Sequence, residues 1–234
     1  MAAETWSESY TKLLIFNLTH YDRVLHLDSD STVLEPMDEL FLLPPSPVAM
    51  PKAYWFDDDR RKLFTTGVML VQPSEHEFSR IMSAVEAARK EEYDMEIVNN
   101  LFGDSADVLP HRPYPLVSGE FRANSHEKYL RRPDSYGGDD VGEEWDATDV
   151  FNEAKFVHFS DWPVAKPWRY NSPRFKGLQE PKCEKMFQPA DCSGQRIWNW
   201  LYEDFASRRK VRVGLVQVLI PLSYVLTAPV RLRS

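Results

Sequence analysis

Apolar residues recur along this chain in two rhythms, short unbroken runs and longer stretches at helical spacing. Arg23-Val24-Leu25-His26-Leu27 is a short apolar run that stops at Asp28, the length and make-up of a strand buried on both faces. Val48–Ala53 reads as a second strand, and Phe64–Val71, which contains Gly67-Val68-Met69-Leu70-Val71, as a third. Val108–Leu109 and Phe156–Phe159 are shorter strand candidates. Leu13, Leu14, Phe16 and Leu18 predict a helix over Trp6–Leu18. Phe78, Ile81, Met82 and Val85 recur at helical spacing after Pro73-Ser74 and predict a helix over Glu75–Lys90. A further helix is expected from about Met95 to Phe102, and a short helix or turn over Asp38–Leu43, ended by Pro44, Pro45 and Pro47. Arg131–Asp149 is polar and acidic and reads as a long flexible loop. In the tail, Trp198, Trp200, Leu201 and Tyr202 within Ile197–Phe205 have the spacing of a helix packed onto the domain. Strands alternating with helices place the chain in the α/β class, with a mixed, mainly parallel sheet expected.

Length and composition narrow the partners. The 234 residues suffice for one good-sized domain, or a domain plus a tail. A net charge of -8 excludes the basic footprint of a nucleic-acid binder. An acidic protein still accommodates a nucleotide diphosphate when a metal ion supplies local positive charge. Cys183 and Cys192 form no Cys-x-x-Cys pattern, which argues against structural zinc; their spacing leaves open whether they form a disulfide. Met1–Glu8 lacks the basic-then-apolar pattern of a secretory signal. Residues 213–230 carry no charge and are flanked by Arg208, Arg209, Lys210, Arg212, Arg231 and Arg233. That segment is a candidate for membrane association, as a span, an interfacial segment, or neither if it folds as a buried helix and strand.

Candidate chemistry begins at Asp28-Ser29-Asp30. Aspartates directly after an apolar strand emerge at the edge of an α/β sheet where ligands bind. Alternate residues of an extended chain point the same way, so both carboxylates can approach one hard cation, Mn²⁺ or Mg²⁺. Spacing alone is weak support: eighteen aspartates in this chain produce roughly one such pair by chance, and Asp57 and Asp59 form another. Asp also favours the turn after a strand. His158 has the chemistry of a ligand for a Mn²⁺-like cation, and Lys166 that of a counter-charge to a diphosphate leaving group. Taken singly, they read as a core histidine and a solvated lysine.

The string Tyr21-Asp22-Arg23-Val24-Leu25-His26-Leu27-Asp28-Ser29-Asp30, followed by Pro36-Met37-Asp38-Glu39-Leu40-Phe41, resembles the metal-binding segment of glycogenin-type retaining glycosyltransferases. Phe64-Thr65-Thr66-Gly67, Asp94-Met95-Glu96-Ile97-Val98-Asn99, and His158-Phe159 through Lys166-Pro167-Trp168 resemble three further motifs of the family, in the family's order. The flavour is that of its fungal Golgi N-acetylglucosaminyltransferases. The resemblance implies a GT-A-type fold for nucleotide-diphospho-sugars, with Asp28, Asp30 and His158 on Mn²⁺ or Mg²⁺. It implies Ser29, Lys166, Thr65, Thr66 and Gly67 around a UDP-sugar donor of GlcNAc or glucose, Asp94 and Asn99 at the catalytic sugar side, and a glycan or glycoprotein acceptor. It also implies a Golgi or other secretory-pathway lumen; a chain made as shown without a signal would be cytoplasmic.

The chain departs from the family pattern at Thr65, Met95 and Asp161, where Asn, Gln and Gly are usual. The family's first strands are not recognisable ahead of Trp6, so a catalytic domain incomplete at its N-terminus is expected over 1–177, with a C-terminal extension over 178–234. That truncation keeps a second reading in play, a catalytically inactive family fragment acting as a binding or scaffold protein. A metal-dependent phosphohydrolase ranks last, because no phosphate-binding loop follows Asp28 or Asp30.

Overall fold

All four residues of Val24–Leu27, His26 among them, are buried, as a mainly apolar run between two covered faces requires. The computed structural model describes residues 9–56, 63–131, 143–169, 177–183, 190–213 and 224–226. Its strands are β1 (Val24–Leu27), β2 (Ser31–Val33), β3 (Val48–Pro51), β4 (Val68–Val71), β5 (Asp107–Leu109), β6 (Leu116–Val117), β7 (Phe156–His158) and β8 (Tyr224–Leu226). The chain forms two units, one of Met1–Ser29, Met37–His111 and Leu222–Ser234, the other of Asp30–Pro36 and Arg112–Pro221.

The first unit holds a five-stranded sheet in the order β5-β3-β4-β1-β8. β1 lies antiparallel to β4, with Leu27 opposite Val68, and β3 is antiparallel to β4 but parallel to β5. The sheet is therefore mixed and the class α/β, as expected. The expected predominance of parallel pairing is not found among the described ladders, where β3–β5 and β6–β7 are the parallel pairs and the others are antiparallel. An apolar run records that both faces are covered, not which way its neighbours run.

Leu13, Phe16, Met50, Phe64, Met69, Ile81, Val98 and Phe102 build the core of this unit. Phe16 stacks on Phe102 with centroids 5.6 Å apart. The first helical segment, Ser9–Asn17, is a 3₁₀ helix rather than the α-helix expected over Trp6–Leu18. Its three-residue turn eclipses Leu13 with Phe16 and Lys12 with Ile15, which carries Lys12 inward. The helix Glu75–Ala87 starts where Ser74 Oγ accepts the Glu77 N–H at 3.1 Å, a standard N-cap. The helix Asp94–Phe102 starts with a carboxylate in its first turn, where the helix dipole favours one.

In the second unit β2, β7 and β6 form a sheet, β2 antiparallel to β7 and β6 parallel to it. The long helix Ser193–Val213 buries Trp198, Leu201 and Tyr202, the apolar spacing read from the sequence. Trp198 stacks on Tyr202 at 4.2 Å, and Phe159 meets Tyr202 edge-on at 5.2 Å. The helix Ala147–Glu153 begins within the last residues of the stretch expected to be loop. Asp146 starts it, accepting the N–H groups of Thr148 and Asp149 at 2.7 and 3.0 Å. Residues 132–142 of that expected loop lie outside the described residues.

Cys183 and Cys192 form a disulfide. Of the uncharged segment 213–230, Val213 ends the long helix and Tyr224–Leu226 pairs with β1; the remainder lies outside the described residues. Among the described residues, no helix is long and apolar enough to cross a membrane.

Candidate functional site

β1 delivers Asp28 from a fully buried strand to a half-buried position at its end. The Asp28 N–H donates to Gly67 O at 2.9 Å, so the first aspartate sits against the chain that enters β4. That chain is itself tied down. Thr65 Oγ1 accepts the Gly67 N–H at 3.1 Å, and the Thr65 N–H donates to Pro51 O at 3.0 Å. Asn99 Oδ1 accepts the Phe64 N–H while its Nδ2 donates to Phe64 O, both at 2.8 Å. Asn99, expected at the catalytic sugar side, thus clamps the backbone ahead of Thr65, Thr66 and Gly67. Its amide also donates to Met95 O at 2.8 Å, within its own helix.

Asp94 is buried, at 4% exposure, and its carboxylate gathers two donors. Thr66 Oγ1 donates to Asp94 Oδ2 at 2.5 Å, and Lys12 Nζ reaches the same oxygen at 3.0 Å. Lys12 also meets Asp28 Oδ1 at 2.6 Å. One ammonium therefore links the aspartate after β1 to the aspartate that opens the helix Asp94–Phe102. Burial works against the Lys12 charge, but Asp28 and Asp94 overcome it and hold the pKa above that of an ordinary lysine. His26, fully buried on β1, faces Asp28 Oδ1 with Nε2 at 3.2 Å. A carboxylate only accepts, so that nitrogen carries the proton.

The second unit assembles the other half. Asp30 Oδ1 lies 3.1 Å from His158 Nε2, and Asp30 Oδ2 accepts from Lys166 Nζ at 2.7 Å. Lys166 Nζ also donates to Phe159 O at 2.5 Å. The β2–β7 ladder creates this convergence by pairing Ser31 with His158, and the Phe159 N–H donates to Asp30 O at 2.8 Å. Ser29 is exposed at the point where the chain passes from one unit to the other. Within the first unit, then, Asp28, Thr66, Gly67 and Asp94 come together; within the second, Asp30, His158 and Lys166 do.

Sequence reasoning missed Lys12 and His26. A lysine on an amphipathic helix reads as solvated, and its partners Asp28 and Asp94 lie far along the chain. For His26 the signal was present: a polar residue inside an otherwise apolar buried run calls for a partner, and Asp28 is two residues away on the same side of the strand.

No family model matches the chain. Glucose N-acetyltransferase 1 of Gibberella zeae is 48% identical over 209 residues, covering 88% of this chain and 44% of that protein. Its Aspergillus fumigatus counterpart is 44% identical, covering 90% of this chain and 56% of that protein. Human glycogenin-2 is 29% identical over 68% of this chain and 28% of its own length. The chain is a glycogenin-like relative of the fungal glucose N-acetyltransferases. It spans about half the length of the fungal relatives it matches. Among solved structures, the apo form of the bifunctional glycosyltransferase WbbM superposes with a TM-score of 0.53 at 18% identity, over 84% of this chain and 36% of that one. The chain's fold is accordingly GT-A, within the α/β class expected from the sequence.

Proposed function

We propose that this chain carries the chemistry of a metal-dependent glycosyltransferase. It moves GlcNAc or glucose from a UDP-sugar to a glycan or glycoprotein acceptor, with retention. The observation that carries this reading is the gathering of His158 and Lys166 on Asp30, two residues beyond Asp28. Peptide geometry keeps the α-carbons of Asp28 and Asp30 within roughly 7 Å of each other whatever else moves. Two carboxylates and an imidazole, each half-buried, are a donor set suited to Mn²⁺ or Mg²⁺. When bound, a divalent cation supplies positive charge beside the donor diphosphate.

The chain's own residues do the rest. Lys166 presents an ammonium to the leaving diphosphate, where negative charge grows as the glycosidic bond breaks. Thr66 and Lys12 hold the Asp94 carboxylate in one orientation, from which it accepts sugar hydroxyls. Ser29, Thr65 and Gly67 line the approach to the donor. The Cys183–Cys192 disulfide favours an oxidising compartment, in keeping with a Golgi or other secretory-pathway lumen.

Incubation with UDP-GlcNAc or UDP-glucose and Mn²⁺ is expected to release UDP, at a rate lost on chelation and in Asp30→Ala. Release of inorganic phosphate instead would mark a hydrolase. A folded chain that releases neither would be an inactive member of the family.

A further inference from the structure

The segment from His158 to Lys166 is anchored at several points on either side of Trp162. Phe159 is buried, with its ring against Tyr202 and Phe205 at 5.2 and 4.9 Å. Asp161, the residue that departs from the family's glycine, is 7% exposed and accepts from Arg122 Nη1 at 2.6 Å and Trp198 Nε1 at 2.8 Å. The Val164 N–H donates to Asp161 O at 2.6 Å, closing a tight turn. Gly119 lies directly beneath: a β-carbon there would sit 3.2 Å from Ser160 O, so the two backbones are in close approach. At the tip of this fixed turn stands Trp162, 92% exposed.

We propose that Trp162 is the platform on which a sugar ring of the acceptor stacks. The inference rests on the glycosyltransferase reading above. A large apolar ring held outside by a turn pinned on both sides cannot fold back into the core, so its face is presented to solvent. The turn that carries it joins His158, assigned to the cation, to Lys166, assigned to the donor's diphosphate, and Trp162 is four residues from each. An indole face matches the C–H-lined face of a pyranose. A nucleoside is the weaker match, because small-molecule sites enclose most of their ligand and Trp162 stands on an open surface. A glycan carried on a larger acceptor reaches the site from solvent and meets an outward-facing ring first.

The test uses methyl α-glucoside and methyl α-mannoside as probes, titrated to about 100 mM while the indole N–H signals are followed by NMR. The Trp162 signal is assigned by its absence in Trp162→Ala, and UDP binding with Mn²⁺ is measured on both proteins. The expected result is a shift of the Trp162 signal by at least one glycoside, affinity about tenfold weaker in Trp162→Ala and largely kept in Trp162→Phe, and unchanged UDP affinity. Equal glycoside binding by Trp162→Ala, no glycoside response in the wild type, or a loss of UDP affinity in the variant overturns the proposal. Failure of the wild type to bind UDP is a separate result, which strikes the donor reading instead.

Discussion

Lys166→Ala is expected to lower the rate of UDP release by about a hundredfold to a thousandfold while leaving the fold nearly as stable as before. The side chain is 37% exposed and pairs with Asp30 at 2.7 Å, and ion pairs this accessible contribute about 1 kcal/mol or less to stability. Its effect on the reaction belongs to another scale. Removing one preorganised positive group from the place where charge develops typically costs about 3–4 kcal/mol of transition-state stabilisation. The loss should fall on kcat more than on donor KM, because the diphosphate carries more charge as the sugar departs. Arginine at the same position keeps the charge and should restore part of the rate. Steady-state kinetics beside a thermal melt separates the two effects. A rate that falls only in proportion to lost folded protein would show Lys166 to be a structural tie.

Lys12→Met behaves in the opposite way, as a stability mutation first. Its ammonium is 14% exposed and stands between two carboxylates, at 2.6 and 3.0 Å. Deleting the cation removes the positive charge that Asp28 and Asp94 share, and removal of one partner from a buried ion pair costs about 3 kcal/mol or more. The pKa of Lys12 is raised in the folded chain, so its stabilisation is fully present below the unfolded lysine value of about 10.4 and is lost as pH rises through the folded value. Between about pH 6 and 9 it stays protonated in both states and adds no pH dependence of its own. Urea unfolding of wild type and variant at several pH values in that window checks both the size and the flatness of the difference.

Much of this site was legible because its parts are local. Asp28 and Asp30 stand at the end of a four-residue apolar strand, and strand and aspartates lie where the pattern puts them. The helix carrying Asp94 follows its apolar spacing to within a residue, whereas the one carrying Trp198 runs well beyond the expected Ile197–Phe205, from Ser193 to Val213. What could not be read was long-range or directional. β1 runs antiparallel to β4, and burial on both faces looks the same for either direction. Asn99 has the right type for sugar chemistry, but a side-chain amide matches a backbone amide just as well, and Phe64 occupies it. Asp161 stood out in the sequence as a departure from the family; its burial between Arg122 and Trp198 shows what the carboxylate does. Lys12 needed the 3₁₀ twist of Ser9–Asn17 to turn inward, and nothing in its neighbours' polarity announces that twist.

The most direct measurement of the proposed chemistry is calorimetric titration of UDP into the chain with and without Mn²⁺, repeated on Asp30→Ala. Asp30 is half-buried, so the variant should melt within a few degrees of the wild type. Binding that requires Mn²⁺ and disappears in the variant is the predicted result. UDP binding indifferent to both the metal and Asp30 would contradict it, and so would a folded wild-type chain that binds no UDP under either condition.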